Sequence, residues 1–142
     1  MPAFDLHIVF DCADPDRVAR FWMAALGGYD FPTGVPDGFA TWDEWADANN
    51  IPVDQRNLGR TLVDKERGSR PDIFFLQVPE SKQLKNRVHL DIKVAPGLTG
   101  ADRRTAIEKE ADRLTTLGAT IAIDHDDHLV MHDPEGNEFC LA

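Results

Sequence analysis

Several residue types that define large classes of protein are scarce in this sequence. Its 142 residues include 2 cysteines, Cys12 and Cys140, which is too few for the disulfide framework of a small secreted protein. We therefore expect both to be reduced thiols. No run of apolar residues approaches the roughly twenty that a membrane-spanning helix needs, and the N-terminus lacks a basic region followed by an apolar one. These absences predict a cytoplasmic protein that does not enter a membrane.

Positive charge is also scarce. The sequence has 15 lysines and arginines and 25 aspartates and glutamates, so its formal net charge is −10. Such a charge repels a nucleic-acid backbone and an anionic lipid surface, so we expect neither as a partner. The sequence contains no glycine-rich phosphate loop and no arrangement of serine, histidine and acid for nucleophilic catalysis. Nucleotide binding and nucleophilic hydrolysis are therefore unsupported.

The pattern of strands and helices runs in the same order in each half of the chain. Residues 4–12 are rich in Leu, Ile, Val and Phe and predict a strand buried on both faces. Asp14 and Pro15 predict the start of a helix that ends at Gly27. In the second half, Thr99 predicts the start of a helix that ends near Gly118. The remaining predicted strands cover residues 58–64, 73–78, 87–95, 119–124, 128–132 and 137–141.

An extra helix is predicted in the first half, where Thr41 can cap a helix over residues 41–50 with Glu44 three residues later. This helix carries Trp42 and Trp45. The two rings could line the mouth of a pocket as an aromatic lid for a flat ligand, or they could pack the helix onto the sheet.

Two histidines, His7 and His89, lie in apolar β-like runs roughly eighty residues apart. The first is followed by Asp14 after seven residues and by Phe21-Trp22 after seven more. The chain ends in D-P-E-G-N-E-F-C, a tight acidic turn that leads into a short strand. Upstream of His89 stand V-P-E-S-K and K-N-R, and His89 itself opens the sequence H-L-D.

These features resemble the vicinal oxygen chelate superfamily, which includes glyoxalases, extradiol dioxygenases and bleomycin-resistance proteins, and within it an actinobacterial-type glyoxalase-like subgroup. The resemblance implies an α+β fold in which two βαβββ modules form an open, curled mixed sheet around a cavity. It predicts a single domain over residues 1–142, with one module over about 1–80, a helical insertion over about 41–57 and a second module over about 85–142.

The resemblance also implies a metal site, because metal-dependent members of the superfamily use a histidine in the opening strand of each module and glutamates in the closing strands. His7 and His89 occupy the opening positions, whereas Cys140 stands where the last glutamate is expected. The first closing strand has no carboxylate and offers only the amide of Gln77. A site with Cys140 would suit zinc, and one with Glu138 would suit iron, manganese or nickel. Alternatively, the histidines are hydrogen-bonding residues of the cavity and Cys140 is an apolar filler.

Strand alternation predicts which side chains could meet a substrate. Arg87, His89 and Asp91 share one face of the predicted strand over 87–95. Arg87 could bind an anionic substrate or pair with Asp91. Glu138 is the candidate base. The predicted substrate-binding residues are Arg87, Asp91, Gln77, Trp42 and Trp45.

Two functions from different classes fit this pattern. The first is a metal-assisted lyase, isomerase or dioxygenase-type enzyme acting on a small molecule, with a metal polarising adjacent oxygens and a carboxylate moving a proton. The second is a non-catalytic protein that sequesters an antibiotic or a metabolite, as bleomycin-resistance proteins do. Its signature is loss of the ligand glutamates, which this sequence shows. In either case the open edges of such sheets favour a homodimer.

Overall fold

Each half of the chain folds as one βαβββ unit, and the computed structural model describes all 142 residues. The first unit is Met1–Pro79 and the second is Glu80–Ala142. The elements of the first unit are β1 (Ile8–Cys12), α1 (Pro15–Leu26), β2 (Tyr29–Asp30), α2 (Trp42–Ala48), a 3-10 turn (Val53–Gln55), β3 (Gly59–Asp64) and β4 (Ile73–Gln77). The elements of the second are β5 (Leu90–Ile92), α3 (Gly100–Thr115), β6 (Thr120–Asp124), β7 (Leu129–His132) and β8 (Glu138–Leu141).

The two units share one sheet topology. The strand order is β1-β4-β3-β2 in the first unit and β5-β8-β7-β6 in the second. In both, the opening strand pairs in parallel with the closing strand and the other neighbours are antiparallel. The parallel pair requires a crossover, which α1 and α3 provide. The predicted α+β fold of two βαβββ modules is confirmed, with one open four-stranded mixed sheet in each.

Helix α1 begins and ends where the sequence predicts. The side chain of Asp14 accepts a hydrogen bond from the Arg17 N–H, and Pro15 occupies the first turn. Gly27 ends the helix at a φ of 62°, a value that a residue with a Cβ rarely adopts. The apolar stripe of α1 covers the sheet, where the largest buried side chains are Trp22 and Phe75. In the second unit, α3 contributes Ile107, Ala111 and Leu114 to a core with Leu129, Met131, Phe139 and Leu141.

Two of the predicted strands are shorter than expected, and pairing explains both. Strand β1 begins at Ile8 because its partner β4 begins at Ile73, so residues 4–7 lack a neighbouring strand. His7 therefore precedes the strand. Strand β5 covers only three residues, because Phe139–Leu141 of β8 supply its partners. Arg87 and His89 thus lie in the segment before β5 and not within a strand.

Two smaller expectations also fail. Strand β1 is buried on one face only, since Val9 is 56% exposed while Cys12 is buried. Thr99 begins α3 without a side-chain capping bond, whereas Thr41 caps α2 through the Glu44 N–H as predicted.

The turn between β3 and β4 is fixed by one buried carboxylate. Asp64 accepts hydrogen bonds from the N–H groups of Glu66, Arg67 and Arg70, and the Arg70 guanidinium lies 2.9 Å from Asp64 Oδ1. The hydrogen bond from the Arg70 side chain holds the pKa of Asp64 far below its ordinary value; the backbone N–H groups add to this effect and burial opposes it. Arg70 also lies over the ring of Tyr29, 4.3 Å from its centroid.

We expect Asp64→Asn to lower the stability of the protein most strongly near neutral pH. A depressed carboxyl pKa contributes stability above the unfolded value of about 3.9, and this contribution is lost as the pH falls towards the folded value. The gap in free energy of unfolding between wild type and variant should therefore stay constant from pH 7 to about 5 and narrow below about 4. Urea titrations across this range measure it. Asp54→Asn, on the exposed 3-10 turn, is the control, and a gap independent of pH would contradict the assignment.

Candidate metal centre

The second sheet has one face packed on α3 and one face free of the helix. Met131 and Phe139 are fully buried in the core, and the half-buried Leu90 lies beside Phe139 on the same face. Because strand side chains alternate, Asp91, Cys140 and Val130 point to the opposite face, and the register places Asp91 beside Cys140 and Cys140 beside Val130. The polar residues that the sequence pattern singles out in this unit therefore gather on the helix-free face.

Three possible metal ligands meet on this face. One donor atom each of His89, Asp91 and Cys140 lies within 4.8 Å of the others. Nε2 of His89 is 3.5 Å from Oδ1 of Asp91, and both side chains are more than two-fifths exposed. Cys140 is buried. The cluster thus has a protected sulfur at its base and an imidazole and a carboxylate open to solvent.

The environment of Cys140 opposes a free thiolate. Burial raises the pKa of the Cys140 thiol, and the charge and hydrogen bond of Asp91 raise it further, while Lys85 and Lys93 act weakly in the other direction. A thiol, an imidazole and a carboxylate that converge in this way are the ligand types of a zinc centre. With only three ligands from this unit, such a centre would keep a position for water or for an organic oxygen. The residues fit a divalent metal.

Asp91 is the one member of this cluster that the sequence does not predict as a metal ligand. Its predicted role is to bind substrate, and the structure places its carboxylate among the possible ligands. The spacing H-x-D is a usable signal, since residues two apart in an extended chain share a face. The ion-pair partners of Asp91 in the structure are His89 at 3.5 Å and Lys93 at 3.9 Å, and the substrate role of Arg87 stays a prediction. Arg87 is exposed.

Glu138 lies two residues before Cys140 in β8. Its side chain holds the segment before β5 in place. Its carboxylate accepts a hydrogen bond from the Asn86 N–H at 2.9 Å and pairs with Lys82 at 3.1 Å. Burial alone would raise the pKa of Glu138, but the Asn86 N–H, its own backbone N–H and Lys82 lower it to about 2. His132, opposite Glu138 in β7, lies 3.9 Å away. The role of Glu138 as a base stays a prediction.

The D-P-E-G-N turn sets where β8 begins. Asp133 is buried, and its carboxylate accepts hydrogen bonds from the backbone N–H groups of Glu135 and Asn137 and from the Asn137 side chain. Gly136 adopts a φ of 85°, which its lack of a Cβ permits. The turn thereby fixes the start of the strand that carries Glu138 and Cys140.

The other predicted site residues belong to the first unit. His7 is 61% exposed, and its Nε2 lies 3.8 Å from Asp72. Gln77 is exposed and donates to the carbonyl of Ala13. Trp42 and Trp45 line a cleft beside α2. The metal and substrate roles of these four residues stay predictions.

The fold defines the class. Two βαβββ modules, each with an opening strand paired in parallel to its closing strand, form the vicinal oxygen chelate fold, the fold of glyoxalases, bleomycin-resistance proteins and dioxygenases. The model of the glyoxalase-like domain family matches residues 7–142. The chain belongs to that family.

Solved structures agree on the fold. The fosfomycin resistance protein FosX from Mesorhizobium loti is 12% identical, with a TM-score of 0.59 over 99% of this chain and 91% of that one. A FosX variant from Listeria monocytogenes, in complex with Mn(II) and 1S,2S-dihydroxypropylphosphonic acid, is 10% identical with a TM-score of 0.59 over 99% and 90%. A glyoxalase/bleomycin resistance protein/dioxygenase family enzyme from Burkholderia phytofirmans PsJN is 17% identical, with a TM-score of 0.58 over 97% of both chains.

No curated protein matches the chain in sequence. None of the helices is both long enough and apolar enough to cross a membrane.

We expect Glu138→Ala to free the segment that carries His89. In hydrogen–deuterium exchange followed by NMR, the Asn86 amide should lose its protection, because its acceptor is gone, while Glu138→Gln should keep part of it. Glu135→Gln, in the neighbouring turn, is the matched control and should leave Asn86 unchanged. Equal protection of the Asn86 amide in wild type and Glu138→Ala would contradict this role.

Proposed function

We propose that the second unit binds a divalent metal through His89, Asp91 and Cys140, and that a small organic molecule with adjacent oxygens binds beside it. The observation that carries the proposal is the convergence of the three donor atoms to within 4.8 Å. The glyoxalase-like family and the Mn(II) complex of the Listeria FosX variant support it as precedents on the same fold.

The ligand types favour zinc over manganese for this chain. Carboxylate and water oxygens suit manganese, whereas thiolate and imidazole suit zinc. Cys140 stands where the resemblance leads us to expect a glutamate. Its sulfur is the softest donor atom of the three, and it is also the buried one. We therefore expect a metal preference different from the Mn(II) found with FosX.

The basic residues around the site favour a ligand with a negative charge. The positive charges of Lys85 and Lys93 both act on the Cys140 thiol, and Arg87 is exposed in the same segment. A bound metal would polarise oxygens of the ligand as a Lewis acid. Arg87, Lys85 and Lys93 would orient an anionic group of that ligand.

As the reaction we propose metal-assisted chemistry of the lyase, isomerase or dioxygenase type on that ligand. A proton transfer in such a reaction needs a base within hydrogen-bonding reach of the substrate. Glu138 is the predicted base, and His132 at 3.9 Å from it is a neighbouring group that could exchange protons with it.

A second candidate is the non-catalytic binder, and one observation favours it. Both oxygens of Glu138 already have partners, Lys82 and the Asn86 N–H on one and His132 near the other. A carboxylate held in this way serves as a structural support. Under this alternative the site sequesters its ligand without converting it.

Three expectations about the whole protein remain proposals. We propose that residues 1–142 act as one domain, that the protein is a cytoplasmic homodimer, and that it belongs to the actinobacterial-type subgroup. Light scattering coupled to gel filtration tests the dimer directly.

We expect each of His89→Ala, Asp91→Asn and Cys140→Ser to weaken zinc binding by about 100-fold or more, since even residues that only support ligands are worth roughly 10- to 100-fold. Titration against a chromophoric chelator, after dialysis to remove bound metal, measures the affinity. Wild type should bind one zinc per chain more tightly than it binds manganese.

Matched controls exist for two of these variants. Cys12→Ala removes the other cysteine, and His125→Ala removes an exposed histidine of the β6–β7 turn; both should bind zinc as wild type does. His7→Ala tests whether the first unit supplies a further ligand, and a loss like that of His89→Ala would support the predicted pair. Zinc binding that survives Cys140→Ser unchanged would overturn the proposed ligand set.

A further inference from the structure

The first unit contains a cleft beside the inserted helix α2. Its volume is about 690 Å³, and α1, α2, the 3-10 turn and the beginning of β3 line it. Clefts that bind small molecules usually measure about 300–1,000 Å³. None of its lining residues belongs to the cluster of His89, Asp91 and Cys140, so a ligand of this cleft is independent of the metal proposed for the second unit.

One wall of the cleft is aromatic. Trp42 and Trp45 meet edge to face, with ring centroids 5.5 Å apart at 80°, and Phe31 faces the same space. Trp42 is 53% exposed, which leaves a large apolar surface in contact with water. Tryptophan pairs in this arrangement offer both a ring face and a ring edge to a planar ligand.

The aromatic wall is preformed, because hydrogen bonds from Arg56 hold α2 in place. Its guanidinium donates to Asp47 at 2.6 Å, to Asp43 at 3.4 Å and to the carbonyl of Ile51. The Arg56 side chain is only 19% exposed. With all of these partners in place, Arg56 acts as a support, and the rings of α2 need not be ordered when a ligand enters.

The opposite wall carries an excess of positive charge. Arg20 and Arg60 share the carboxylate of Asp16, at 2.8 and 3.2 Å. The hydrogen bond from Arg20 lowers the pKa of Asp16, with burial opposing it and Arg60 adding to it, so the group stays ionised. Two guanidinium groups against one carboxylate leave one positive charge, in a chain whose net charge is −10.

The two guanidinium groups are placed to receive an anion. Arg20 uses its Nε for Asp16 and lies over the Phe31 ring, 5.2 Å from the centroid. Arg60 uses its Nε for Asp16 and its Nη1 for two backbone carbonyls. Both terminal nitrogens of Arg20 can donate to a carboxylate in the paired geometry that arginine favours, and Nη2 of Arg60 can add one hydrogen bond.

We propose that this cleft is a binding site for a planar aromatic carboxylate. The ring lies against Trp42 and Trp45, and the carboxylate lies between Arg20 and Arg60. A cationic aromatic molecule would meet the excess positive charge, and a neutral one would leave it unpaired, so both bind more weakly.

Calorimetric titration with three naphthalene probes of one shape tests the proposal. The probes are 2-naphthoate, 2-naphthalenemethanol and 2-naphthylmethylammonium. On wild-type protein we expect saturable binding of the carboxylate, about tenfold or more tighter than the alcohol, because hydrogen bonds to a charged group are worth roughly this much. The ammonium probe should bind most weakly.

Variants separate the two walls. Arg20→Gln with Arg60→Gln should bring the affinity for the carboxylate down to that for the alcohol. Trp42→Ala should weaken both by roughly threefold to tenfold. Arg17→Gln removes one positive charge from an exposed position of α1 outside the cleft and is the control matched to Arg20→Gln, so its preference should equal that of wild type.

Several results would overturn the site. They are no saturable binding of 2-naphthoate to wild type, a preference for the carboxylate that survives the double arginine variant, and a loss of that preference in Arg17→Gln. If circular dichroism shows the double variant to be unfolded, Arg20→Gln alone makes the same comparison, since its side chain is 60% exposed.

Discussion

The parallel pairing of β5 with β8 is the constraint on which the candidate metal centre depends. It places Leu90 beside Phe139 and Asp91 beside Cys140. The first of these pairs points into the core, where Phe139 is fully buried, and the second therefore points to the face without a helix. A shift of one residue would turn every side chain of β5 over and bury the Asp91 carboxylate without a partner. The same hydrophobic burial that fixes the register thus also fixes the ligands.

The closing strand is held at both ends. Asp133 begins it, since this buried carboxylate satisfies the N–H groups of the turn that leads into β8. At the other end, the Ala142 N–H donates to the Ile92 carbonyl, and the Val94 N–H to the Ala142 carbonyl. Between them, Glu138 binds the Asn86 N–H and Lys82, three residues or more before His89. Local hydrogen bonds therefore determine where the histidine lies relative to a sulfur that is distant in sequence.

How much of this the sequence could predict depends on the range of the interaction. Helix α1 was predictable because Asp14, Pro15 and Gly27 are local signals that act within one turn. The two-module order was predictable because each strand has its own apolar pattern. Strand ends were not, since β1 and β5 stop where their partners stop. The face shared by His89 and Asp91 follows from spacing, but their meeting with Cys140 depends on the β5–β8 register, which no local pattern encodes. Nor did any periodicity predict the contacts of Glu138, because residues 80–89 have no regular structure.

Some charged side chains support the fold and others are free to bind a ligand, and the number and kind of their partners separate the two groups. Asp64 accepts hydrogen bonds from three backbone N–H groups and from Arg70, and Arg56 donates to the Ile51 carbonyl and to two carboxylates, so replacing either residue would break several hydrogen bonds at once. Asp91 has a hydrogen bond with the Cys140 thiol, and its ion pairs are long and exposed, at 3.5 Å to His89 and 3.9 Å to Lys93. Pairs of this kind contribute about 0–1 kcal/mol. Binding a cation in place of the ion pair between Asp91 and His89 would therefore cost the fold little stability, while it would give a carboxylate, an imidazole and a buried sulfur a common partner.

The same reasoning separates Arg56, whose hydrogen bonds support α2, from Arg20, which uses a single nitrogen and keeps the others for an anion.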